Sequence, residues 1–397
     1  MEEKIIVDVL NQLPMDEQRI EIVERKGLGH PDTICDLIAD EIERSLTKEY
    51  IKKFGLVLHH NIDKGLLVAG EAEHKFGGGK IKKPMVLIIG DRASYSFGGE
   101  IIPIKEIAIK VAKNWFKENL RFLDPDENVK YQVELKQASA ALREIFKKKS
   151  IGSNDTSAAV GYYPLSKCER IVIDLEKFIN SKKFKKEFPE CGEDVKIMCI
   201  RNKDFIKLIL AIAFVDRFVQ SEEDYFRKKD EILEVAKDFV SNYTENFEIE
   251  INSLDEKGKG VAGIYLTVTG TCADTSDSGE VGRGNRVNGV IPLNRPISSE
   301  AAAGKNSVSH VGKIYNILSH KIAEEIFENV SGLKEVYVWL VSKIGNSLKK
   351  PELVATQIIG ENDLKNFESE VKEIIQKELE NIDKFCKELA KGKYKIC

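Results

Sequence analysis

The sequence predicts an α+β fold, and three observations carry that reading. Strand-like and helical stretches are mixed along the chain without the regular βαβ rhythm of a doubly wound sheet. Apolar stripes at helical spacing recur in well separated places. No Ser- or Pro-rich linker divides the chain, so its domains are expected to be packed tightly or interwoven. The 397 residues leave room for two or three domains of ordinary size, and 42% hydrophobic residues suffice for real cores.

Taken in order, the first helical stripe is Ile34, Leu37, Ile38, Ile42 and Leu46, directly after a Gly-His-Pro-Asp turn. Short apolar or alternating runs predict strands at 55–60, 65–69 and 85–89. A second helical stripe runs through Ile104, Ile107, Ala108, Val111 and Trp115. Strands are then expected at 131–135, 170–174, 195–200, 208–216, 247–251 and 263–269. The third helical stripe uses Val308, Val311, Tyr315, Leu318, Ile322 and Ile326. A last strand at 335–342 alternates cleanly, with Val336, Val338 and Leu340 on one face. The Lys- and Glu-rich stretch 362–391 reads as one or two surface helices. Low-complexity tracts are confined to Lys147-Lys148-Lys149 and Gly77-Gly78-Gly79.

Composition excludes several function classes. A net charge of −4 does not mark the chain as a nucleic-acid binder. The high Lys and Glu content fits either the ion-pair networks of a thermophile or any well-solvated surface. No run approaches the ~18 apolar residues of a membrane span. Met1-Glu2-Glu3-Lys4-Ile5 lacks the apolar stretch of a signal peptide, which predicts a cytoplasmic protein. The seven cysteines are scattered and form no CxxC pair, so reduced packing cysteines are expected rather than a zinc ribbon or redox motif.

Four loops carry chemistry. In Glu24-Arg25-Lys26-Gly27-Leu28-Gly29-His30-Pro31-Asp32 the glycines allow a sharp turn and Pro31 suits the first helical turn. A helix N-terminus there is a natural anion site. Asp32 reads either as the helix cap or as a hard oxygen ligand for Mg2+ beside phosphate. His30, between glycine and proline, is poorly placed as core filler. The second loop, Gly152-Ser153-Asn154-Asp155-Thr156-Ser157, is rich in hydrogen-bonding groups, although an ordinary surface turn has the same composition. The third, 269–286, gathers carboxylates, glycines and arginines suited to a nucleotide, without the third glycine of a Rossmann fingerprint. The fourth contains Gly304-Lys305 but not the first glycine of a P-loop, which is Ser299 here. A solvated surface lysine is its bland alternative. His59 and His60 are adjacent on an expected strand, so they face opposite ways and share no metal. His74, His310 and His320 show no ligand spacing and read as structural.

Together these loops resemble the S-adenosylmethionine synthetase (methionine adenosyltransferase) family, and closely its archaeal branch. Gly29-His30-Pro31-Asp32, 152–157, 274–288 and 300–313 follow one another in that branch's order, and matching sequence spans nearly the whole chain. The resemblance implies a fold of three similar α+β subdomains around a pseudo-threefold axis, with approximate bounds 1–125, 126–245 and 246–397. It also implies a homodimer joined through sheet faces, with active sites at the interface and ATP and L-methionine as substrates. Methionine sulfur would attack C5′ of ATP, and the displaced tripolyphosphate would then be cut to diphosphate and phosphate. Sulfur needs no deprotonation, so alignment and stabilisation of the leaving group remain as the catalytic tasks.

Roles carried over by motif place His30 at the departing oxygen and Asp32 on Mg2+. Lys196, Arg283 and Lys305 fall on the phosphates, and Glu71 on the methionine ammonium. Gly29 and residues Gly152, Ser153, Asn154, Asp155, Thr156 and Ser157 fall on ATP and methionine, as do Asp194 and Asp277. K+ is the further ion the family uses; Asn61 and Asp63 are the candidates where its glutamate has no counterpart. Where bacterial and eukaryotic members place a second lysine and a second metal aspartate, this chain has Ser309 and Val311. His310 and Lys313 are the nearby replacements. The bacterial gating loop has no counterpart. The rival readings are another ATP-dependent kinase or ligase, which would form ADP or AMP, and a non-catalytic nucleotide-binding regulatory protein.

Overall fold

The computed structural model describes residues 4–137, 152–360 and 367–397. The Lys147-Lys148-Lys149 tract and the start of the 362–391 stretch lie outside the described residues. After β1 (Ile5–Val9), the chain runs three times through one succession: strand, helix, antiparallel strand pair, helix, strand. The first pass is β2 (Ile20–Lys26), α1 (Pro31–Phe54) and β3 (His60–Val68), then a side hairpin of β4 (Glu71–Glu73) and β5 (Lys80–Lys83). It continues with β6 (Met85–Ala93), the short pair β7 (Ser96–Phe97) and β8 (Glu100–Ile101), α2 (Ile104–Asn119) and β9 (Val129–Gln137). The second pass is β10 (Ala158–Tyr163), α3 (Lys167–Ile179), α4 (Lys182–Glu187), β11 (Cys191–Asn202), β12 (Phe205–Val215), α5 (Glu222–Ser241) and β13 (Phe247–Ile251). The third opens with the short strands β14 (Leu266–Thr267), β15 (Gly279–Glu280) and β16 (Ile291–Pro292). It closes with α6 (Val311–Asn329), β17 (Leu333–Val341), β18 (Leu353–Gly360), α7 (Glu368–Glu380) and α8 (Ile382–Ala390), and β1 supplies its last strand.

The three main sheets share one order: β15-β3-β6-β9, β2-β11-β12-β13 and β10-β17-β18-β1. In each, the two middle strands are antiparallel and the fourth runs parallel to the third. The first strand pairs antiparallel with the second and comes from the preceding pass, cyclically. Strand exchange of this kind interweaves the units, which explains why no linker is visible in sequence. Each sheet packs against helices over its own hydrophobic core.

Most expected elements form. Val336, Val338 and Leu340 are all buried on one face of β17. The stretch 170–174 is not a strand but the middle of α3. Ser166 and Glu169 close a capping box at its start, and eight of its side chains, including Ile171, Leu175 and Ile179, turn into the core. No strand occupies 55–59: Gly55 ends α1 in the left-handed region (φ 70°), and pairing begins at His60. Within 263–269 only Leu266 and Thr267 pair, with β12. The last two helices are not purely superficial, because Val371, Ile375, Ile382 and Phe385 bury one face of each. All seven cysteines are free, six of them buried. No helix among the described residues is long and apolar enough to cross a membrane.

Candidate active site

The site grows from the turn between β2 and α1. Gly27 and Gly29 donate backbone hydrogen bonds to the carbonyls of Val195 and Glu193, laying the turn along β11. A Cβ at Gly29 would stand 2.4 Å from the Asp194 nitrogen, so only glycine permits this approach. Pro31 occupies the first helical turn, and His30 rather than Asp32 is the cap: its Nδ1 accepts the Asp32 N–H at 3.2 Å. An acceptor role at Nδ1 puts the proton of a neutral imidazole on Nε2. His30 is indeed held neutral. Burial pulls its pKa down to about 4; Asp32 opposes the shift, and Lys26 and Lys196 add to it.

Asp32, relieved of capping, spans two segments. One oxygen accepts the Glu280 N–H at 2.8 Å and the other meets Lys26 Nζ at 2.9 Å. Lys26 also donates to the Arg283 carbonyl at 2.7 Å. One turn further along α1, Asp36 accepts the Gly282 N–H at 2.7 Å, and burial raises its pKa to about 7. Residues 279–284 are thereby pinned to the start of α1, and Arg283 itself is exposed.

His30, Asp194, Lys196 and Asp277 converge on one cleft of about 570 Å³. Ile209, Ile264 and Tyr265 supply an apolar wall. Asp194 accepts the Cys272 N–H at 2.9 Å; burial raises its pKa to about 6, against that hydrogen bond and with help from Asp277 and Asp274. The cleft thus sets charged and polar side chains beside an apolar wall, as a ligand with a charged tail and a flat ring requires. Glu71 stands outside this lining, on the β4–β5 hairpin, in an exposed ion pair with Lys83 at 2.5 Å. Gly70 beside it donates to the Ala273 carbonyl, which docks the hairpin on the loop that carries Asp277.

The remaining sequence candidates gather elsewhere on the chain. Lys305 is no solvated surface lysine: it is 3% exposed and pairs with Asp63 at 2.8 Å and Glu300 at 3.1 Å. Asp63, one of the two potassium candidates, meets both Lys305 and Lys64 through the same oxygen, Oδ2. Ser153 bonds the Asn346 carbonyl, and Asn154 accepts the Val311 N–H at the start of α6. Thr156 accepts the Ile344 N–H, Ser157 donates its N–H to the Ser342 hydroxyl, the Asp155 carbonyl accepts from that hydroxyl, and Gly152 bridges to Ser347. Lys313, a nearby candidate for the missing lysine of the wider family, lies in the core. It is buried between Asp40 at 2.6 Å and Glu43 at 3.0 Å. His310 caps α6 through its Nδ1, and burial lowers its pKa to about 3. His60 is likewise structural, against Glu43 at 3.3 Å. Among the described residues, no three His, Cys, Asp or Glu side chains converge as a preformed metal site. A lone carboxylate beside fixed cations still suits Mg2+, which keeps several waters and takes one or two carboxylates along with phosphates.

Glu24 and Lys26 belong to the first sequence motif but carry no role there, and Asp36 lies outside every motif. Asp36 was accessible through its i+4 spacing from Asp32 on the polar side of the stripe. Lys26 depends on strand register, which local sequence does not display.

Comparison with known proteins gives the site its context. A family model described as S-adenosylmethionine synthetase (AdoMet synthetase) matches residues 3–393. The S-adenosylmethionine synthase of Pyrococcus furiosus is 42% identical, with all of both chains covered. That of Thermococcus onnurineus is 46% identical over 89% of this chain and 88% of its own. A solved structure titled an unusual S-adenosylmethionine synthetase from Campylobacter jejuni shares the fold, with a TM-score of 0.60 and 17% identity, covering 90% of this chain and 86% of that one. With a family match over residues 3–393 and a relative 42% identical along the whole of both chains, the chain belongs to the S-adenosylmethionine synthetase family.

Proposed function

We propose that this methionine adenosyltransferase, which forms S-adenosylmethionine from ATP and L-methionine, does so with the cleft at the start of α1 as its leaving-group corner. The carrying observation is that His30, Asp194, Lys196 and Asp277, from three distant segments, line one cleft with an apolar wall. His30, neutral and protonated on Nε2, donates a hydrogen bond to the oxygen that departs from C5′. Lys196 and Arg283 hold the polyphosphate, whose charge grows as the bond breaks, and fixed cations lower that barrier most. Asp194 and Asp277 orient the nucleoside and methionine. Asp32 would hold Mg2+, which when bound offsets phosphate charge.

The homodimer is part of the same reading. Ile22, Met198, Ile200 and Ile209 leave a half-exposed apolar face on the β2-β11-β12 sheet, and Leu293 beside it is 59% exposed. Pairing two such faces would bury them and bring Lys305 and the Gly152-to-Ser157 loop of one subunit toward the cleft of the other. Three subdomains near 1–125, 126–245 and 246–397, exchanging strands around a pseudo-threefold axis, complete the proposal. Purified protein supplied with ATP, methionine and Mg2+ is expected to yield S-adenosylmethionine, diphosphate and phosphate in equal amounts. No product from a folded, metal-replete sample would refute the assignment.

A further inference from the structure

Lys26 and Lys196 are directly opposed across the antiparallel β2–β11 pair. Residues opposed in this way project from the same face, and like charges so placed destabilise a sheet. One carboxylate, Glu24, lies between them, 3.7 Å from Lys26 Nζ and 3.5 Å from Lys196 Nζ. Lys196 lines the cleft, and Lys26 reaches the Arg283 carbonyl and Asp32, whose N–H donates to the cleft-lining His30. A repulsive pair at a functional cleft, each member only partly shielded, has a physical reason to exist if an anion joins the two.

We propose that Lys26 is a further substrate-binding residue of this enzyme, contacting the polyphosphate together with Lys196; the inference rests on the leaving-group corner assigned above. Asp32 holds the Lys26 ammonium at 2.9 Å. Arriving phosphate oxygens compete for it, and the ammonium needs only rotation about its own side chain to reach them. Lys26 thus supplies fixed positive charge in a chain whose Lys313 is sealed in the core.

The test is calorimetric titration of inorganic tripolyphosphate into the full-length protein without Mg2+, which separates binding from turnover. Lys26→Met and Lys26→Gln are expected to weaken binding by at least about tenfold, the loss of one charge-assisted hydrogen bond. Lys26→Arg should stay within about threefold of wild type, and Lys237→Met, on the solvent side of α5, should match it. Thermal unfolding of each variant establishes that it is folded. Wild-type affinity in Lys26→Met or Lys26→Gln would overturn the proposal. So would an equal loss in Lys26→Arg, which would make Lys26 a spacer for the Arg283 loop. Failure of the wild-type protein to bind tripolyphosphate would instead overturn the site assignment itself, and this inference with it.

Discussion

Replacing Gly29 by alanine isolates what the glycine turn contributes. The added Cβ would lie 2.4 Å from the Asp194 nitrogen, 2.4 Å from the Glu193 carbonyl carbon and 2.9 Å from the Glu193 Cβ. Two of these are backbone atoms of a central strand, so no side chain can swing aside. Reaching even the 3.4 Å of ordinary contact moves the turn away from β11 by about 1 Å. Overpacking of this size costs about 1–3 kcal/mol of stability. The catalytic cost is larger, because His30 and Asp194 sit on the two sides of the widened contact. A misplacement of about 1 Å lowers rates by roughly 10²-fold. Gly55→Ala is the matched control. Its φ of 70° strains alanine, yet no atom lies within 4 Å of the added carbon. That variant is expected to lose about 1–2 kcal/mol of stability and no activity. Steady-state formation of S-adenosylmethionine and thermal unfolding, measured side by side, decide the matter. A Gly29→Ala enzyme with the wild-type rate would refute the argument that this contact sets the geometry of the site.

Three other outcomes follow from the same structure. His30→Ala is expected to lower kcat by about 10²–10³ with little change in ATP affinity, as for loss of one preorganised donor; equal losses in rate and binding would contradict the role. Lys313→Met strands the Asp40 and Glu43 carboxylates in the core and should cost about 3–5 kcal/mol, read by chemical or thermal unfolding, with a near-neutral result counting against a core role. Lys185 is buried with its ammonium donating to the Gly192 carbonyl at 2.6 Å, and burial draws its pKa from 10.5 down to about 8. The unfolded chain therefore binds more protons between pH 8 and 10.5, so this residue's penalty is full below about 8 and fades as pH rises through that window. Wild type should gain up to about 3 kcal/mol on Lys185→Met across it; parallel stability profiles would exclude the linkage.

Reading failures and successes share physical causes. The α1 stripe was legible because Ile34, Ile38 and Ile42 repeat at helical spacing after an unmistakable Pro-containing start. Residues 170–174 look like a strand because Ile171-Val172-Ile173 is a β-branched run, but the helix is set by the Ser166–Glu169 capping box just before it together with burial on the second sheet. Among site residues, His30 stood out through its neighbours, whereas Lys26 and Glu24 look like ordinary strand charges until β2 is paired with β11.

By itself the sequence determined the α+β class, the glycine turn entering a helix, the family and the reaction. Each of these is written in local spacing or in the order of contiguous loops. Tertiary structure decided which charges meet. The cyclic exchange of β15, β2 and β10 brings residues hundreds of positions apart into contact, setting Asp32 against Glu280 and Lys305 against Asp63. Whether a lysine faces phosphate, as proposed for Lys26, or is locked in the core like Lys313 depends on burial and on the partner across the strand or helix. Those are properties of packing, and one-dimensional spacing does not encode them.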